Sequence, residues 1–151
     1  MITEIDTDLL TYPLEAIGQF NNCQCVWGAG LALRVKEKYP EAYAADCKTK
    51  KGDPKKLGSF SYVIAKDEKH IFNCYTQLGY GYGTRHTMYD AVCWSLVKVE
   101  RFLQDNNIKT FGLPKNAGSR LGGGSWRIVK AIIEDVFLDS PIELYICNYD
   151  G

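Results

Sequence analysis

Two glycine-rich stretches hold the residues of this chain that could bind a ligand through their backbone. Residues 22–32 read NCQCVWGAGLA, and residues 116–126 read NAGSRLGGGSW. Each stretch lies between an apolar segment typical of a strand and a pattern typical of a helix. Glycine lets the backbone approach a ligand closely, and the first turn of a helix presents free N–H groups to an anion. Two such loops predict a site that holds a diphosphate from both sides. The alternative is that the glycines only let two helices pack closely against a sheet.

The elements that must position these loops follow from the hydrophobic pattern. Short apolar segments alternate with patterns of helical period along the chain. Strands are expected at residues 2–5, 14–20, 60–64, 71–75, 109–113 and 142–147, and helices at 31–39, 41–47, 88–105 and after residue 125. This alternation predicts an α/β layered domain over residues 1–151. In such a domain, ligands bind at the carboxyl ends of the strands.

Two helix starts have capping signals. Thr87 and Asp90 have the spacing of a capping box ahead of the longest helix, and Ser125 precedes the last helix. A hydroxyl at that position accepts a hydrogen bond from a free N–H group of the first turn. We therefore expect the side chains of Thr87 and Ser125 to cap these helices.

The balance of charges and the number and spacing of the cysteines limit the kinds of partner and cofactor that the chain could bind. The 151 residues carry 18 basic and 18 acidic side chains, so no net field attracts nucleic acid or an acidic membrane. The basic cluster at residues 48–56 is interpreted as a solvated surface loop, because a nucleic-acid patch would need interleaved aromatic residues. The six cysteines have irregular spacing and are expected to be reduced, with no metal and no other cofactor bound. An acidic N-terminus without a signal-peptide pattern predicts a cytoplasmic protein, and we expect a monomer.

Residues 77–84 form a third loop, with three glycines and two tyrosines. Glycine supplies mobility, and the tyrosine rings supply flat apolar faces. This composition suits a lid over a ligand, and it equally suits an ordered surface loop.

The motifs in their order resemble the macro domains, which are ADP-ribose-binding modules. Near the start, the similarity rests on Thr7-Asp8-Leu9-Leu10, on Asn22 and on Gly28-Ala-Gly-Leu-Ala32. Further along, Asn73-x-x-Thr76-Gln77 and the stretch from Gly118 to Trp126 look like that family's later blocks. The resemblance is strongest to the compact branch that contains ADP-ribose 1″-phosphate phosphatases and terminal ADP-ribose–protein glycohydrolases. It implies a three-layer α/β/α fold around a mixed sheet, with ADP-ribose lying across the crest of the sheet.

The resemblance also implies roles for individual residues. Asp8, with Leu9 beside it, matches the acid that accepts a hydrogen bond from the adenine amino group, and Tyr149 lies where an aromatic ring stacks on adenine. Asn22 matches the asparagine at the distal ribose. The first phosphate loop matches Gly28, Ala29 and Gly30, and the second matches Gly118, Ser119, Arg120, Leu121 and Gly122.

Several positions depart from the family pattern. Glycohydrolase relatives place a catalytic aspartate where this chain has Gly122, or immediately before the tryptophan, where it has Ser125. Gln19 stands where several relatives have histidine. Arg120 adds a positive charge to the second loop, and Lys66 is a loosely aligned match for a lysine nucleophile. These departures count against protein deADP-ribosylation.

Three functions therefore stay open. The first is hydrolysis of a terminal group from ADP-ribose, above all the 1″-phosphate, with Arg120 stabilising charge, Asn22 orienting water or ribose, and His86 acting as general base. The second is a non-catalytic reader of an ADP-ribosylated protein, or a binder that sequesters an ADP-ribose-like signal. The third and weakest is a redox or metal protein built on Cys23 and Cys25.

Overall fold

The computed structural model describes residues 1–149 and shows a six-stranded mixed sheet between two layers of helices. The strands are β1 (Ile2–Asp6), β2 (Ala16–Asn22), β3 (Phe60–Ile64), β4 (His70–Gln77), β5 (Thr110–Pro114) and β6 (Glu143–Asn148). The helices are α1 (Gly30–Lys38), α2 (Pro40–Cys47), α3 (Tyr89–Asp105) and α4 (Trp126–Phe137), with a short 3₁₀ turn at Pro54–Lys56. The α/β/α architecture and the mixed sheet that the sequence predicted are therefore confirmed.

Alternation along the strands sends side chains into two separate cores. On β2, Ala16 lies in the core under α3 and α4, whereas its neighbour Ile17 lies in the core under α1 and α2. The first core contains Phe72 and Phe111 at its centre, and the second contains Trp27. Both faces of the sheet are covered, so the central strands β2 and β4 are largely buried. The buried polar residues Gln19 and Asn73 on these strands bond to each other at 3.1 Å.

The order of the strands is β1-β6-β5-β2-β4-β3, and only β3 runs antiparallel to its neighbour. The five parallel strands therefore end at one edge of the sheet. The segments that follow them meet there, and these include both glycine-rich loops, the tyrosine loop, the Asp8 segment and Tyr149. Strands β5 and β2 are direct neighbours, so the two glycine-rich loops leave the sheet side by side.

The two capping predictions were wrong in their chemistry. Helix α3 begins at Tyr89 with Met88 as its N-cap, and the hydroxyl of Thr87 instead donates a hydrogen bond to the carbonyl of Gly118 at 2.7 Å. Ser125 is the N-cap of α4, as expected, but its side chain makes no capping bond. Because the N-cap of α3 is Met88, Thr87 lies one residue before the capping position, and its side chain bonds to the second glycine-rich loop instead.

No helix within residues 1–149 is long and apolar enough to cross a membrane.

The thiols provide a test of this packing. None of the six cysteines forms a disulfide; Cys74 and Cys147 are buried, and Cys47 is exposed. Burial raises the pKa of the Cys74 thiol to about 12 and that of Cys147 to about 11. Since the thiolate is the nucleophile, iodoacetamide at pH 8 should modify Cys47 first and leave Cys74 and Cys147 unmodified until the chain unfolds. Peptide mass spectrometry with and without denaturant measures this, and early labelling of Cys74 would contradict the described core.

Candidate functional site

The first glycine-rich loop is closed on itself by Asn22. The side-chain amide of Asn22 donates to the carbonyl of Val26 at 2.9 Å, while its oxygen accepts from the N–H groups of Gln24 and Val26 at 2.9 and 3.3 Å. Cys25, at the tip between these bonds, has a positive φ of 60°. The structure therefore gives the Asn22 side chain a loop-closing role, and its assignment to a distal ribose stays a prediction.

Trp27 fixes the position of the glycines that follow it. Its indole N–H donates to the carboxylate of Asp46 at 2.7 Å, and Asp46 is completely buried. The hydroxyl of Tyr75 donates to the other oxygen of the same carboxylate. Burial is the first cause that raises the pKa of Tyr75, and its hydrogen bond to Asp46 adds to the effect. The loop is thus tied to α2 and to β4 through one buried anion.

Beyond Trp27 the backbone is open to a ligand. The amides of residues 28–32 have no acceptor among residues 1–149, and residues 28–30 are exposed. A Cβ added at Gly28 would meet no atom within 4 Å, while Gly30 has a positive φ of 59°. Since Gly28 is not needed for packing, its lack of a side chain fits close approach by a ligand. The helix dipole of α1 places partial positive charge at the same point.

The second glycine-rich loop is built around Thr87. The carbonyl of Gly118 accepts from the Thr87 hydroxyl and from the amide of Gly124 at 2.7 and 2.8 Å. In return, the carbonyl of Gly122 accepts from the amides of His86 and Thr87 at 2.8 and 2.9 Å. A Cβ at Gly122 would lie only 2.4 Å from the Thr87 hydroxyl. Glycine is therefore required at this position by packing.

The same loop still leaves amides for an anion. Within the described chain, the N–H groups of Arg120, Leu121 and Gly122 have no acceptor, whereas those of Ser119 and Gly123 bond to loop carbonyls. Arg120 and Leu121 are exposed. Packing and anion binding are thus compatible in this loop, because different atoms serve each.

The adenine end predicted for the site lies at β1 and β6. An open cleft of about 650 Å³ is found there, lined by Asp6, Thr7, Asp8, Thr11, Asn148 and Tyr149. Asp8 accepts from the guanidinium of Arg34 at 2.6 Å and from the amide of Leu10 at 3.1 Å. Partial burial opposes ionisation of Asp8, but these two bonds outweigh it and hold its pKa below the ordinary value. The carboxylate is therefore charged at neutral pH and remains acceptor-only.

Arg34 and Leu9 refine the assignment of this end. The Arg34 guanidinium lies 4.7 Å from the centre of the Tyr149 ring, so one cation links the expected hydrogen-bond acceptor to the expected stacking ring. The side chain of Leu9 is only 3% exposed and belongs to the core under α1 and α2. Leu9 was expected among the ligand-binding residues, but its side chain is directed to the core, next to Gly112.

The remaining candidates fall on both ends of the sheet. His86 is half-buried beside Gly79, and its amide anchors it to the second glycine-rich loop. Arg120 projects from that loop. Lys66 lies in the turn between β3 and β4, at the opposite end of the sheet, so its tentative match to a lysine nucleophile was wrong. The turn follows an antiparallel strand, and this reversal carries Lys66 away from the carboxyl edge.

The tyrosine loop is fastened at both ends to the glycine-rich loops. Near its start, the carbonyl of Leu78 accepts from the amide of Cys23 at 3.3 Å and from the side chain of Gln24 at 3.1 Å. At its end, the carbonyl of Thr84 lies against Gly123. Tyr80 and Tyr82 are 55% and 88% exposed, so their rings are free to contact a ligand. Closure of the loop as a lid stays a prediction.

Sequence reasoning missed three residues that organise the site, namely Asp46, Thr87 and Arg34. An acid within the apolar run of α2 was a visible signal for a buried carboxylate, and it went unused. Thr87 was noticed but given a local role. Nothing in the spacing of Arg34 along α1 indicates that its side chain reaches Asp8, 26 positions away.

Comparison with known proteins agrees with this geometry. No protein-family model matches the chain. An uncharacterized 17.5 kDa protein of Enterobacteria phage T4 is 28% identical over 157 residues, which is 99% of this chain and 97% of the phage protein. A DNA ADP-ribosyl glycohydrolase of Mycobacterium tuberculosis is 30% identical over 145 residues, covering 93% of this chain. The chain spans only 40% of the length of that mycobacterial relative.

Solved structures show the same likeness in three dimensions. The macrodomain of Mycobacterium tuberculosis DarG superposes with a TM-score of 0.81 at 25% identity, over 98% of this chain and 97% of that one. Thermosipho africanus DarTG in complex with ADP-ribose gives a TM-score of 0.79 at 18% identity, over 97% of this chain and 41% of that one. The chain therefore has the fold of the macrodomains, as the sequence resemblance indicated.

Proposed function

We propose that this macrodomain binds ADP-ribose across the carboxyl edge of its sheet. The observation that supports the proposal best is the pair of loops with unpaired amides, at residues 28–32 and 120–122, on the neighbouring strands β2 and β5. Unpaired amides beside a helix N-terminus suit a diphosphate without any net positive charge on the protein. The adenine would lie on β1 and β6, between Asp8 and Tyr149. The distal ribose would then lie toward β2 and β4.

Orientation follows from the order of the strands. Because β1 and β6 are on one side of the two glycine-rich loops and β4 is on the other, an extended ligand reaches the tyrosine loop only with its distal end. The residues expected to act there are Arg120 and His86, which both belong to the second loop or are bonded to it. Arg120 supplies a fixed positive charge. His86 supplies a nitrogen that can accept a proton from water.

We further propose that the chain removes by hydrolysis the group attached through C1″ of the distal ribose. The name of the mycobacterial relative, a DNA ADP-ribosyl glycohydrolase, supports a glycosidic adduct as substrate. Arg120 supports the 1″-phosphate ester that the sequence favoured. Water attacks C1″ in the glycosidic reaction and phosphorus in the release of phosphate. Both atoms lie at the distal end of the ligand, and both reactions need charge stabilisation by loop amides.

A binder without turnover is the second candidate function. Residues 22–30 and 116–126 contain no aspartate or glutamate, and the Asn22 side chain is occupied by its own loop. A site that lacks a carboxylate near the scissile bond would hold ADP-ribose and release it unchanged. Such a protein would read ADP-ribosylated partners or sequester an ADP-ribose-like signal.

Calorimetry with ADP-ribose tests the binding proposal. Gly28→Val should weaken binding at least tenfold, because a side chain there projects into the space proposed for the diphosphate. The variant should melt within about 2 °C of the wild type, because no atom lies within 4 Å of the new Cβ. Asp8→Ala should also weaken binding, by loss of the acceptor for the adenine amino group. If Gly28→Val binds as well as the wild type, the diphosphate does not lie on this loop.

Turnover separates the two candidate functions. The wild type is incubated with ADP-ribose 1″-phosphate, and in parallel with an ADP-ribosylated oligonucleotide. Release of phosphate or of free ADP-ribose, reduced in Arg120→Gln and in His86→Gln, supports a hydrolase. Binding with no product at high enzyme concentration supports a reader or a sequestering protein.

A further inference from the structure

Two loops that are distant in sequence are anchored on the same two residues, Cys23 and Gln24. The amide of Gly52 donates to the carbonyl of Cys23 at 2.6 Å, and a Cβ at Gly52 would lie 3.3 Å from the Gln24 side chain. This fixes the basic loop of residues 48–56. The tyrosine loop is held there by Leu78, whose carbonyl accepts from Cys23 and Gln24. The fold therefore brings lysines and tyrosines together at the end of the site where β2 and β4 terminate.

The basic loop of residues 48–56 presents exposed lysines that form no ion pairs within the described chain. These exposed cations are Lys48, Lys50, Lys51 and Lys55. Lys56 points inward and donates to Thr49 at 2.9 Å. The one acid of the loop, Asp53, accepts from the amide of Lys55 and so fixes the 3₁₀ turn. The backbone of the loop is thus held in place by its own bonds, and the side chains of the exposed lysines are available to an anionic partner.

The tyrosine loop supplies exposed aromatic rings, which the basic loop itself does not contain. Tyr80 and Tyr82 are 55% and 88% exposed, and the glycines between and after them have no atom within 4 Å of an added Cβ. Exposed rings and exposed cations on neighbouring loops are the two parts of a binding surface for single-stranded nucleic acid. The bases stack on the rings, and the lysines follow the phosphates. The sequence argued against nucleic acid because no aromatic residue interrupts residues 48–56, yet the fold provides the aromatic residues from another loop.

We propose that this surface, formed by Lys50, Lys51, Lys55, Tyr80 and Tyr82, binds a single-stranded nucleic acid segment. The inference rests on the proposed function, because its value to the protein is to hold a strand whose attached ADP-ribosyl group enters the cleft. The strand lies beyond the distal ribose and leaves the adenine and diphosphate positions vacant. Free ADP-ribose and a strand therefore bind together without competition.

The test uses a fluorescein-labelled oligothymidine of 12 nucleotides and measures anisotropy at several salt concentrations. Micromolar binding at low salt is expected for the wild type. A triple variant, with Lys50→Gln, Lys51→Gln and Lys55→Gln, should bind the oligonucleotide about tenfold more weakly or worse. The slope of log affinity against log salt concentration should become shallower by about 2, since each phosphate contact of a single strand contributes about 0.7. Tyr80→Ala with Tyr82→Ala should weaken binding about tenfold and leave the slope unchanged, because stacking is not ionic.

A matched triple variant controls for net charge. Lys66, Lys98 and Lys109 are also exposed, and Lys66 and Lys109 lie at the opposite edge of the sheet. Their replacement by glutamine removes the same charge and should leave oligonucleotide affinity unchanged. The inference would be overturned if both triple variants weakened oligonucleotide binding equally, or if the wild type did not bind the oligonucleotide at 50 mM salt. It would also be overturned if a duplex bound more tightly than the single strand and its affinity did not change in the tyrosine double variant.

Calorimetry with ADP-ribose on the same variants separates this inference from the function on which it rests. The two lysine triple variants should bind ADP-ribose as the wild type does, and saturating ADP-ribose should not displace the oligonucleotide from the wild type. Loss of ADP-ribose binding in the wild type would remove the proposed function and leave the strand-binding result to stand alone. Displacement by ADP-ribose would place the strand in the cleft and overturn the surface proposed here.

Discussion

Gly122→Ala is expected to destabilise the protein by about 3 kcal/mol and to abolish ADP-ribose binding. The new Cβ would lie 2.4 Å from the hydroxyl of Thr87, 2.8 Å from the carbonyl of Gly118 and 3.0 Å from the side-chain oxygen of Gln77. Two of these atoms are bonded to each other, so neither can withdraw without breaking a buried hydrogen bond. Overpacking of this kind costs roughly 1–3 kcal/mol, and the lost bonds add to it.

Thermal unfolding measures the effect, which should lower the melting midpoint by roughly 10 °C in a chain of this size. Gly28→Ala is the matched control, since the same methyl group there meets no atom within 4 Å and should leave the midpoint unchanged. Adding Thr87→Ala to Gly122→Ala removes the nearest obstacle. The double variant should therefore lose less stability than the sum of the two single variants. An unchanged midpoint in Gly122→Ala alone would mean that the second loop does not have the described conformation.

The order and type of the elements could be predicted from the sequence because they depend on local patterns. The buried stripe of α3 (Val92, Leu96, Val99 and Leu103) has a helical period that is visible in the sequence. The apolar segments within β2, β4 and β6 likewise indicate strands without reference to the rest of the chain. The strand bounds shifted by one or two residues, since polar residues at the carboxyl ends of β2 and β4, such as Asn22 and Gln77, still pair within the sheet. Pairing with a neighbouring strand determines where each strand ends, and this pairing cannot be recognised from the hydropathy of the sequence.

The contacts that shape the site could not be predicted in this way. Thr87 and Gly118 are 31 residues apart, and Trp27 and Asp46 are 19 apart, so no periodicity links them. The glycines of the second loop illustrate the limit. Their pattern alone favoured anion binding or close packing as alternatives, and the structure shows packing at Gly122 together with free amides in the same loop. Only the long-range partner, Thr87, separates the two roles.

Asp46→Ala should produce the other large effect, a loss of about 3 kcal/mol together with at least tenfold weaker ADP-ribose binding. The carboxylate is fully buried and accepts from the indole of Trp27 and the hydroxyl of Tyr75. Its removal leaves the buried indole N–H of Trp27 without an acceptor, which costs roughly 1–3 kcal/mol, and opens a buried space. The hydroxyl of Tyr75 loses one acceptor but keeps Ser61 at 2.9 Å. Binding falls with stability because Trp27 directly precedes Gly28 and orients the first glycine-rich loop.

The effect on stability is measured by denaturant unfolding, and the effect on ADP-ribose binding is measured by calorimetry on the same variants. Asp46→Asn keeps one side-chain oxygen for the indole of Trp27, so it should lose clearly less stability than Asp46→Ala and retain most of the ADP-ribose affinity. Trp27→Phe keeps the apolar ring but leaves one carboxylate oxygen without its donor, and it should weaken binding while Tyr75 still holds Asp46 in place. If Asp46→Ala unfolds more easily but binds ADP-ribose with unchanged affinity at a temperature where it is folded, the buried carboxylate stabilises α2 without positioning the loop. If both properties fall together and Asp46→Asn restores both, one buried anion links the stability of the fold to the geometry of its site.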